Sequence, residues 1–188
     1  GVRLVGSEMC IRDRYVSMVK DCMKNNHGFV IVFQKPSENI DEFEISKKGS
    51  YVEIIDFNNL PNGLLGISVK SINKVLISDL VQLEDGLHIA KVNPLIDPEV
   101  DDQALLAEFP EISNILNQLV KHPGVVDMPI EVDFNSADSV AYHLAGLIPI
   151  PWTHKQSLLE AFDASQRFAI LSKSVSYTHL RAHETDSY

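Results

Sequence analysis

Apolar and polar residues alternate in the middle of the chain, on both sides of a turn signal. The alternation covers Tyr51–Phe57 and Leu64–Val69, and the turn signal between them is Pro61-Asn62-Gly63. A period of two places successive side chains on opposite faces of a strand. Asn-Gly also accepts the positive φ angles of a tight hairpin turn. The pattern therefore predicts a β-hairpin over residues 51–69, at the centre of an antiparallel sheet.

Further strands are predicted on either side of this hairpin. Gly28–Gln34 is a continuous run of apolar, mostly β-branched and aromatic residues. Lys74–Leu83 and Leu87–Val92 flank a second turn signal, Glu84-Asp85-Gly86. Counted with the hairpin, these segments make at least five strands in meander order. A sheet of this kind tends to curl or close to hide its edges.

The segments before and after the first of these strands differ in character. The apolar stripe of Tyr15–Asn26 predicts a short amphipathic helix, in which Cys22 is a packed core thiol. Lys35–Ser50 is polar and lacks the alternating oxygen ligands of a calcium loop. We expect a solvated loop there, with a short strand near Phe43–Ile45 and a turn at Lys47-Lys48-Gly49.

After residues 93–102, which contain two prolines, the apolar period changes from two to 3.6. Helical spacing runs from Leu105 to Leu119, and Pro110 should kink that helix or begin a second one. Another helix begins at Asn135 or Ser136 and runs to about Leu147. A β half followed by an α half predicts the fold class α+β.

Two more helices are predicted after the extended link Ile148–Trp152. Thr153-His154-Lys155-Gln156 has the spacing of a capping box, and Asp163 opens the last helix. Trp152 is expected to pin the proline link onto the helical core, with exposure to a ligand as the alternative. The expected buried face of the first of the two helices comprises Leu158, Leu159 and Phe162.

Charge and composition exclude several classes of protein. The 188 residues include 16 basic and 26 acidic side chains, which give a net charge of −10. Nucleic-acid binders cluster lysine and arginine against phosphates, so that class is not expected. No apolar run reaches the roughly 18–20 residues that span a bilayer. Cys22 is the only cysteine apart from Cys10 in the first fourteen residues, and alone it can form no internal disulfide, so a reduced cytoplasmic setting is expected.

The two ends of the chain are related through complementary DNA strands. Residue i of Gly1–Arg14 can be encoded antisense to residue 188 − i of Ser174–Ser187, without a break over fourteen codons. Both segments resemble translated adapter from transposase-based sequencing libraries. We therefore expect residues 1–14 and 174–188 to be adapter-derived. Between them lie a β-rich subdomain, 15–95, and a helical subdomain, 96–173, which we expect to be an internal piece of a longer reading frame.

Motifs of catalysis and metal binding are missing from the sequence. It contains no glycine-rich phosphate loop, H-E-x-x-H, C-x-x-C or G-x-S-x-G. No two histidines between the terminal segments have zinc-ligand spacing, and His143 and His154 are expected to be surface or capping residues. We predict no catalytic, cofactor-binding or metal-binding residues, and no cofactor.

Three segments in order resemble the N-terminal substrate-binding domain of the Lon protease family, above all its stand-alone bacterial members. They are Tyr15–Cys22, Ile54–Val69 and Leu144–Glu160. The third matches the family's Leu-Pro-Leu-Pro and Lys-Gln-x-Leu-Leu-Glu patterns. The chain departs from the family where Ser71-Ile72-Asn73-Lys74 replaces a Gly-x-x-Arg stretch. It also lacks the family's opening strands, and Arg14 matches the family only because the adapter supplies an arginine.

The resemblance implies a PUA-like antiparallel β-pseudobarrel, N-terminally truncated, followed by a small α-helical bundle. It implies a non-catalytic module that binds polypeptide segments or unfolded proteins, in protein quality control, without nucleic acid or membrane. The contact surface is expected on the apolar β half and the cleft toward the helices. One alternative is the front end of a complete ATP-dependent Lon serine protease, and another is a small-molecule sensor. The candidate substrate-binding residues are Leu60, Leu64, Leu65 and Trp152.

Overall fold

The computed structural model describes residues 8–35, 44–59, 65–126, 128 and 130–185. The chain divides into two units, Gly1–Ile96 and Asp97–Tyr188. In the described residues, the first unit holds one helix and an antiparallel sheet, and the second holds helices only. This arrangement confirms the predicted α+β class.

The sheet of the first unit has the strand order β1-β2-β3-β4, with every neighbouring pair antiparallel. Each strand therefore pairs with the one next to it in sequence, which is the predicted meander. A helix, α1, precedes the sheet and ends at Asn26, whose φ of 52° is left-handed. The elements are α1 (Glu8–Asn25), β1 (Phe29–Gln34), β2 (Ile45–Asn59), β3 (Leu65–Gln82) and β4 (His88–Leu95).

The prediction of at least five strands is wrong for the described residues, which form four. Two of the predicted strands are the two ends of β3, because the stretch between them, residues 70–73, stays in the strand and contains a single bulge. Tyr51 lies opposite Asn73 and Val52 lies opposite Ser71, which leaves Ile72 as the extra residue. A bulge bends a strand without ending it, so the polar residues do not separate two strands.

The predicted turn at Lys47-Lys48-Gly49 is also wrong, since these residues lie within β2. Gly49 pairs with Val32 on one side and Val75 on the other. A Cβ atom at Gly49 would come within 2.7 Å of the Ile31 carbonyl oxygen. The glycine is needed for this close approach of neighbouring strands and not for a turn.

Helix α1 begins at Glu8, seven residues before the predicted start at Tyr15. Cys22 is only 3% exposed, and its thiol donates to the Gly28 carbonyl oxygen at 3.5 Å. Burial, with the nearby charge of Asp21, raises the pKa of this thiol. The prediction of a packed core thiol is confirmed.

The second unit has helices α2 (Asp102–Glu108), α3 (Pro110–Leu119), α4 (Ala137–Leu147), α5 (Trp152–Glu160) and α6 (Ala164–Thr185). Pro110 is the first residue of α3, which confirms the predicted alternative that it begins a second helix and does not kink a single one. The Ser136 hydroxyl caps α4 by accepting from the Ser139 amide at 3.3 Å. Asp163 caps α6 in the same way, with the Gln166 amide at 2.8 Å.

The core of the helical unit forms where α3, α4 and α6 meet. The ring of Phe109 packs edge-on against Phe168, with 5.8 Å between centroids. Val175 also belongs to this core, although it lies beyond Lys173. The large apolar side chains that are fully buried here are Ile112, Leu116, Val140, Leu144, Leu158, Phe168 and Leu171.

Helix α5 differs from its prediction at both ends. Its N-cap residue is Pro151 with no side-chain cap, so the predicted capping box does not form. Trp152 and Phe162 are each 68% exposed, and the predicted burial of both is wrong. Trp152 is the first helical residue, and the Lys155 ammonium lies 5.2 Å from its ring centroid, so the indole contacts a charged side chain at the surface.

Arg167 is completely buried and is held by two carboxylates. Its Nη1 donates to Asp97 Oδ2 at 2.7 Å, and its Nε donates to Asp138 Oδ1 at 3.1 Å. The guanidinium carbon lies 4.8 Å from the ring centroid of Tyr142. Burial opposes the charge of Arg167, but hydrogen bonds to Asp138 and Asp97 and the neighbouring Tyr142 outweigh it and raise the arginine pKa.

Candidate functional site

The half of the β2–β3 hairpin nearest its turn has one apolar face. Phe57 lies opposite Ile67, and Ile54 lies opposite Val69. Side chains of directly opposed residues share one face of a sheet. Leu65 is on this face too, two residues from Ile67. We name Ile54, Phe57, Leu65, Ile67 and Val69 the apolar strip.

A bulge is what places the two β2 members of the apolar strip on one face. Ile54 and Phe57 are three positions apart, and strict alternation would put them on opposite faces. The register shifts between Ile54 and Asp56, so Ile55 is an extra residue. It is 64% exposed beside the strip. Because the bulge reverses the alternation, Phe57 joins Ile54 on the apolar face.

The opposite face of the same half-hairpin is polar. Its paired residues are Glu53 with Lys70, and Asp56 with Ser68. This face can remain in water without cost, whereas the apolar strip favours contact with another apolar surface. The hairpin is therefore amphipathic across its two faces.

Members of the apolar strip remain partly accessible to solvent. Phe57 is 39% exposed, and the other four members are half-buried. A contiguous, partly solvated apolar surface on a hairpin is a feature of surfaces that contact other molecules. The strip is the candidate site.

The structure describes two of the four predicted substrate-binding residues and places them in different units. Leu65 lies in the apolar strip, while Leu60 and Leu64 lie outside the described residues. Trp152 belongs to the helical unit, where it is exposed on α5. Sequence reasoning missed Phe57 and Ile67 as site residues, because their pairing depends on a bulge that has no clear sequence signal.

One serine–histidine pair in the described helices lacks the geometry of a catalytic pair. Nδ1 of His143 lies 3.3 Å from Ser139 Oγ and 2.7 Å from the Ser139 carbonyl oxygen. A carbonyl oxygen only accepts, so Nδ1 must carry the proton and cannot remove one from the hydroxyl. The two residues lie one turn apart in α4, and their contact is a structural feature of that helix.

Two features are missing from the described part of the chain: a cluster of metal ligands and a membrane span. Among those residues, no three or more histidine, cysteine, aspartate or glutamate side chains come together as a potential metal site. Within the same ranges, no helix has both the length and the apolar character to cross a bilayer.

Fold and site together define an α+β protein in which a long antiparallel hairpin presents an apolar strip. Residues 9–176 match the family model of the ATP-dependent protease La (LON) substrate-binding domain. The chain belongs to this family, which confirms the resemblance read from the three sequence segments. The match covers the β unit, including the apolar strip, and most of the helical unit.

The chain is similar to one part of longer relatives. It is 27% identical over 173 residues to Lon protease of Halothermothrix orenii, a match that covers 87% of this chain and 21% of that protein. It is 27% identical over 165 residues to Lon protease 1 of Bacillus subtilis, covering 83% and 21%. The chain thus spans about a fifth of the length of these relatives.

Two solved structures share its fold. A Lon N-terminal domain protein from Xanthomonas campestris has a TM-score of 0.63 at 20% identity, covering 85% of this chain and 83% of that one. The N-terminal domain of Mycobacterium avium complex Lon protease has a TM-score of 0.55 at 16% identity, covering 80% and 91%. At these identities the likeness shows the fold alone.

Proposed function

We propose that this protein is a non-catalytic module that binds polypeptide segments, unfolded ones above all, through the apolar strip. The observation that carries the proposal is the pairing of Phe57 with Ile67 on a partly exposed apolar face. Membership in a substrate-binding family supports it. An unfolded chain exposes apolar side chains that a folded protein hides, so such a surface selects for the unfolded state.

The size of the apolar strip sets the strength of binding that we expect. Full burial of a phenylalanine or isoleucine side chain contributes about 1.5–3 kcal/mol. The members of the strip are already partly buried, so each contributes only part of this. We expect dissociation constants near the micromolar range, about −8 kcal/mol, after the cost of ordering the partner. Weak contacts of this kind suit a module that samples many segments.

Fluorescence anisotropy with labelled, reduced and carboxymethylated α-lactalbumin tests the proposal. The native, disulfide-bonded form of the same protein is the control partner. We expect binding of the unfolded form and none of the native form at equal concentration. Absence of binding to the unfolded form would overturn the proposal.

A matched pair of substitutions then tests the strip itself. Ile67→Thr keeps a β-branched side chain but removes an apolar contact, so we expect affinity to fall about fivefold. Ser68→Thr lies next to it on the polar face and should leave the affinity unchanged. Equal effects of both substitutions would show that the apolar strip is not the contact surface, provided that both variants unfold at the wild-type temperature.

A second candidate function is that this chain forms the N-terminal part of an ATP-dependent Lon protease and binds substrate for it at the same site. The observation that favours it is that the relatives are named Lon proteases and the chain matches about a fifth of each. Polypeptide bound at the strip would then be passed to ATPase and protease modules encoded after it. Reading the gene beyond Lys173 decides between the two candidate functions, because a phosphate loop and a Ser-Lys site would follow in one and not in the other.

A further inference from the structure

β2 and β3 do not stay paired over their whole length in the described residues. Their register ends at the pair Lys48–Leu76. Beyond that point β3 continues in register with β4, as far as Gln82 opposite His88. β2 continues to Ile45, which pairs with Gln34 of β1. The two strands therefore separate, and among the described residues each is paired beyond this point with its outer neighbour alone.

A groove of about 570 Å³ lies where the two strands separate. Its β3 side includes Leu76 and Leu80, which are 37% and 41% exposed. Its β2 side includes Ile45 and Lys47. This volume falls within the range of about 300–1,000 Å³ that is usual for ligand sites.

The β3 side of the groove carries a second bulge. Ser78 lies opposite Lys91 and Val81 lies opposite Ile89, so Asp79 and Leu80 face a single residue of β4. Asp79 has a φ of 49°, unusual for a residue other than glycine, and its carboxylate pairs with Lys91 at 2.9 Å. Bulges recur at strand edges and beside sites, where they redirect a side chain or end a pairing. Here the bulge coincides with the groove.

We propose that an extended polypeptide segment adds to β3 as a strand in this groove, along Ile77–Gln82. The inference rests on the proposed function and names the conformation in which the partner binds. Six residues at about 3.4 Å each would span roughly 20 Å in a regular strand. The bulge at Asp79 and Leu80 shortens this edge, which still has the length of a short strand. Backbone groups that point away from β4 on this edge are donors and acceptors that an extended peptide matches.

The rim of the groove explains why an extended backbone is the fitting partner. Its lining carries one positive side chain, Lys47, and two carboxylates, Glu44 and Asp79. These carboxylates pair with Lys35 and Lys91 outside the lining, so charge does not select one sign of partner. Leu76 and Leu80 line the groove and supply exposed apolar contacts for side chains of an added strand. Recognition through backbone hydrogen bonds is independent of side-chain identity, which fits a module that accepts many sequences.

N-methylated peptides test strand addition directly. The probe is the fluorescein-labelled peptide Lys-Thr-Val-Thr-Val-Thr-Val-Thr-Lys, made unmodified, N-methylated at the valines, or N-methylated at the internal threonines. Alternate amides of an added strand face the edge, so one methylated peptide should lose about tenfold in affinity and the other should stay within about threefold. Equal losses, no losses, or no binding of the unmodified peptide would each overturn strand addition.

A pair of protein variants locates the added strand. Leu80→Thr removes an apolar contact in the groove and should weaken binding of the unmodified peptide about fivefold. Ile89→Thr, at an exposed position in β4 outside the groove lining, is the matched control and should leave binding unchanged. Equal effects of the two variants would place the peptide elsewhere and overturn the site.

The α-lactalbumin assay keeps this inference separate from the proposed function. If carboxymethylated α-lactalbumin binds and Ile67→Thr weakens it, while the methylated peptides do not differ, strand addition is wrong and the proposed function stands. If neither partner binds, both proposals are wrong.

Discussion

Arg167 and Asp97 are seventy positions apart, and Nη1 of the first donates to Oδ2 of the second at 2.7 Å. Asp97 opens the helical unit and Arg167 lies in its last helix. The arginine has no solvent exposure, so its charge depends on its two carboxylate partners. Removing one partner of a buried pair leaves the other charge unpaired, which costs more than the pair itself contributes.

Replacing the arginine with an apolar residue should destabilise the helical unit. Arg167→Met removes the guanidinium that donates to Asp97 and Asp138, and we expect the free energy of unfolding to fall by about 3 kcal/mol. This is the lower end of the usual range, because the Asp138 side chain keeps 48% exposure. Urea unfolding followed by circular dichroism measures the change.

Two further substitutions make that measurement specific. Arg167→Lys keeps the charge but loses the planar fork that reaches both carboxylates, so it should lie between wild type and Arg167→Met. Lys121→Met removes a basic residue from an exposed position and should change stability by less than about 0.5 kcal/mol. A loss as large in Lys121→Met as in Arg167→Met would show that net charge, and not the buried contacts, sets stability.

His88 should make the stability of the β unit depend on pH. Burial, with the nearby charge of Arg14, lowers the pKa of His88 below its ordinary value near 6.5. The unfolded chain therefore binds the proton more readily, so stability is full above about pH 6.5 and falls as the pH drops below it. Thermal unfolding between pH 5 and 8 measures this slope, and His88→Gln should reduce it.

Arg14 offers a separate check on the cause of this shift. Its Nη1 donates to the Gly86 carbonyl oxygen at 2.9 Å, two residues before His88. Arg14→Gln should raise the pKa of His88, measured as the titration of its ring protons by NMR. An unchanged titration would mean that burial alone lowers the pKa.

Trp152, the single tryptophan, should behave as a surface residue. We expect acrylamide to quench its fluorescence in the native protein nearly as well as in the urea-unfolded chain, with emission at long wavelength. A blue-shifted, protected tryptophan would contradict its position on α5. If a tryptophan-free peptide shifts this emission on binding, Trp152 contributes to a contact surface of the helical unit.

The terminal segments should be absent from the natural gene. Long reads of the locus without library adapters should show other codons in place of residues 1–14 and 174–188. Finding both segments in the genome would contradict the proposal that they are adapter-derived. A chain that ends at Lys173 loses Val175 from the described core, so we expect it to be less stable by about 1–2 kcal/mol.

Local signals predicted a large part of the fold. Pro110, Ser136 and Asp163 act within one helical turn of themselves, and each begins or caps the helix that its position indicates. The second hairpin turn is equally local, since Gly86 takes the positive φ of 81° that such a turn needs. These residues could be interpreted from neighbours in sequence alone.

Features that depend on distant residues could not be predicted in this way. Gly49 resembles a turn residue, but two neighbouring strands determine its role. The bulge at Ile55 decides which face Phe57 occupies, and it follows from pairing with β3. Trp152 has the composition of a buried anchor, yet its place at the start of α5 leaves it in solvent. Leu65, predicted from the sequence as a substrate-binding residue, lies in the apolar strip, and the other members of the strip follow only from the register.

The position of Asp97 also has a mechanical consequence. A pulling force on the chain at Ile96 acts on the helical unit at Asp97, its first residue. The ion pair between Asp97 and Arg167 transmits this force directly to α6. The chain between these two residues, which includes helices α2 to α5, therefore bears the full force only after this ion pair breaks. A force applied through the β unit would therefore act first on the Asp97–Arg167 ion pair. Salt weakens this pair only after water reaches the buried guanidinium.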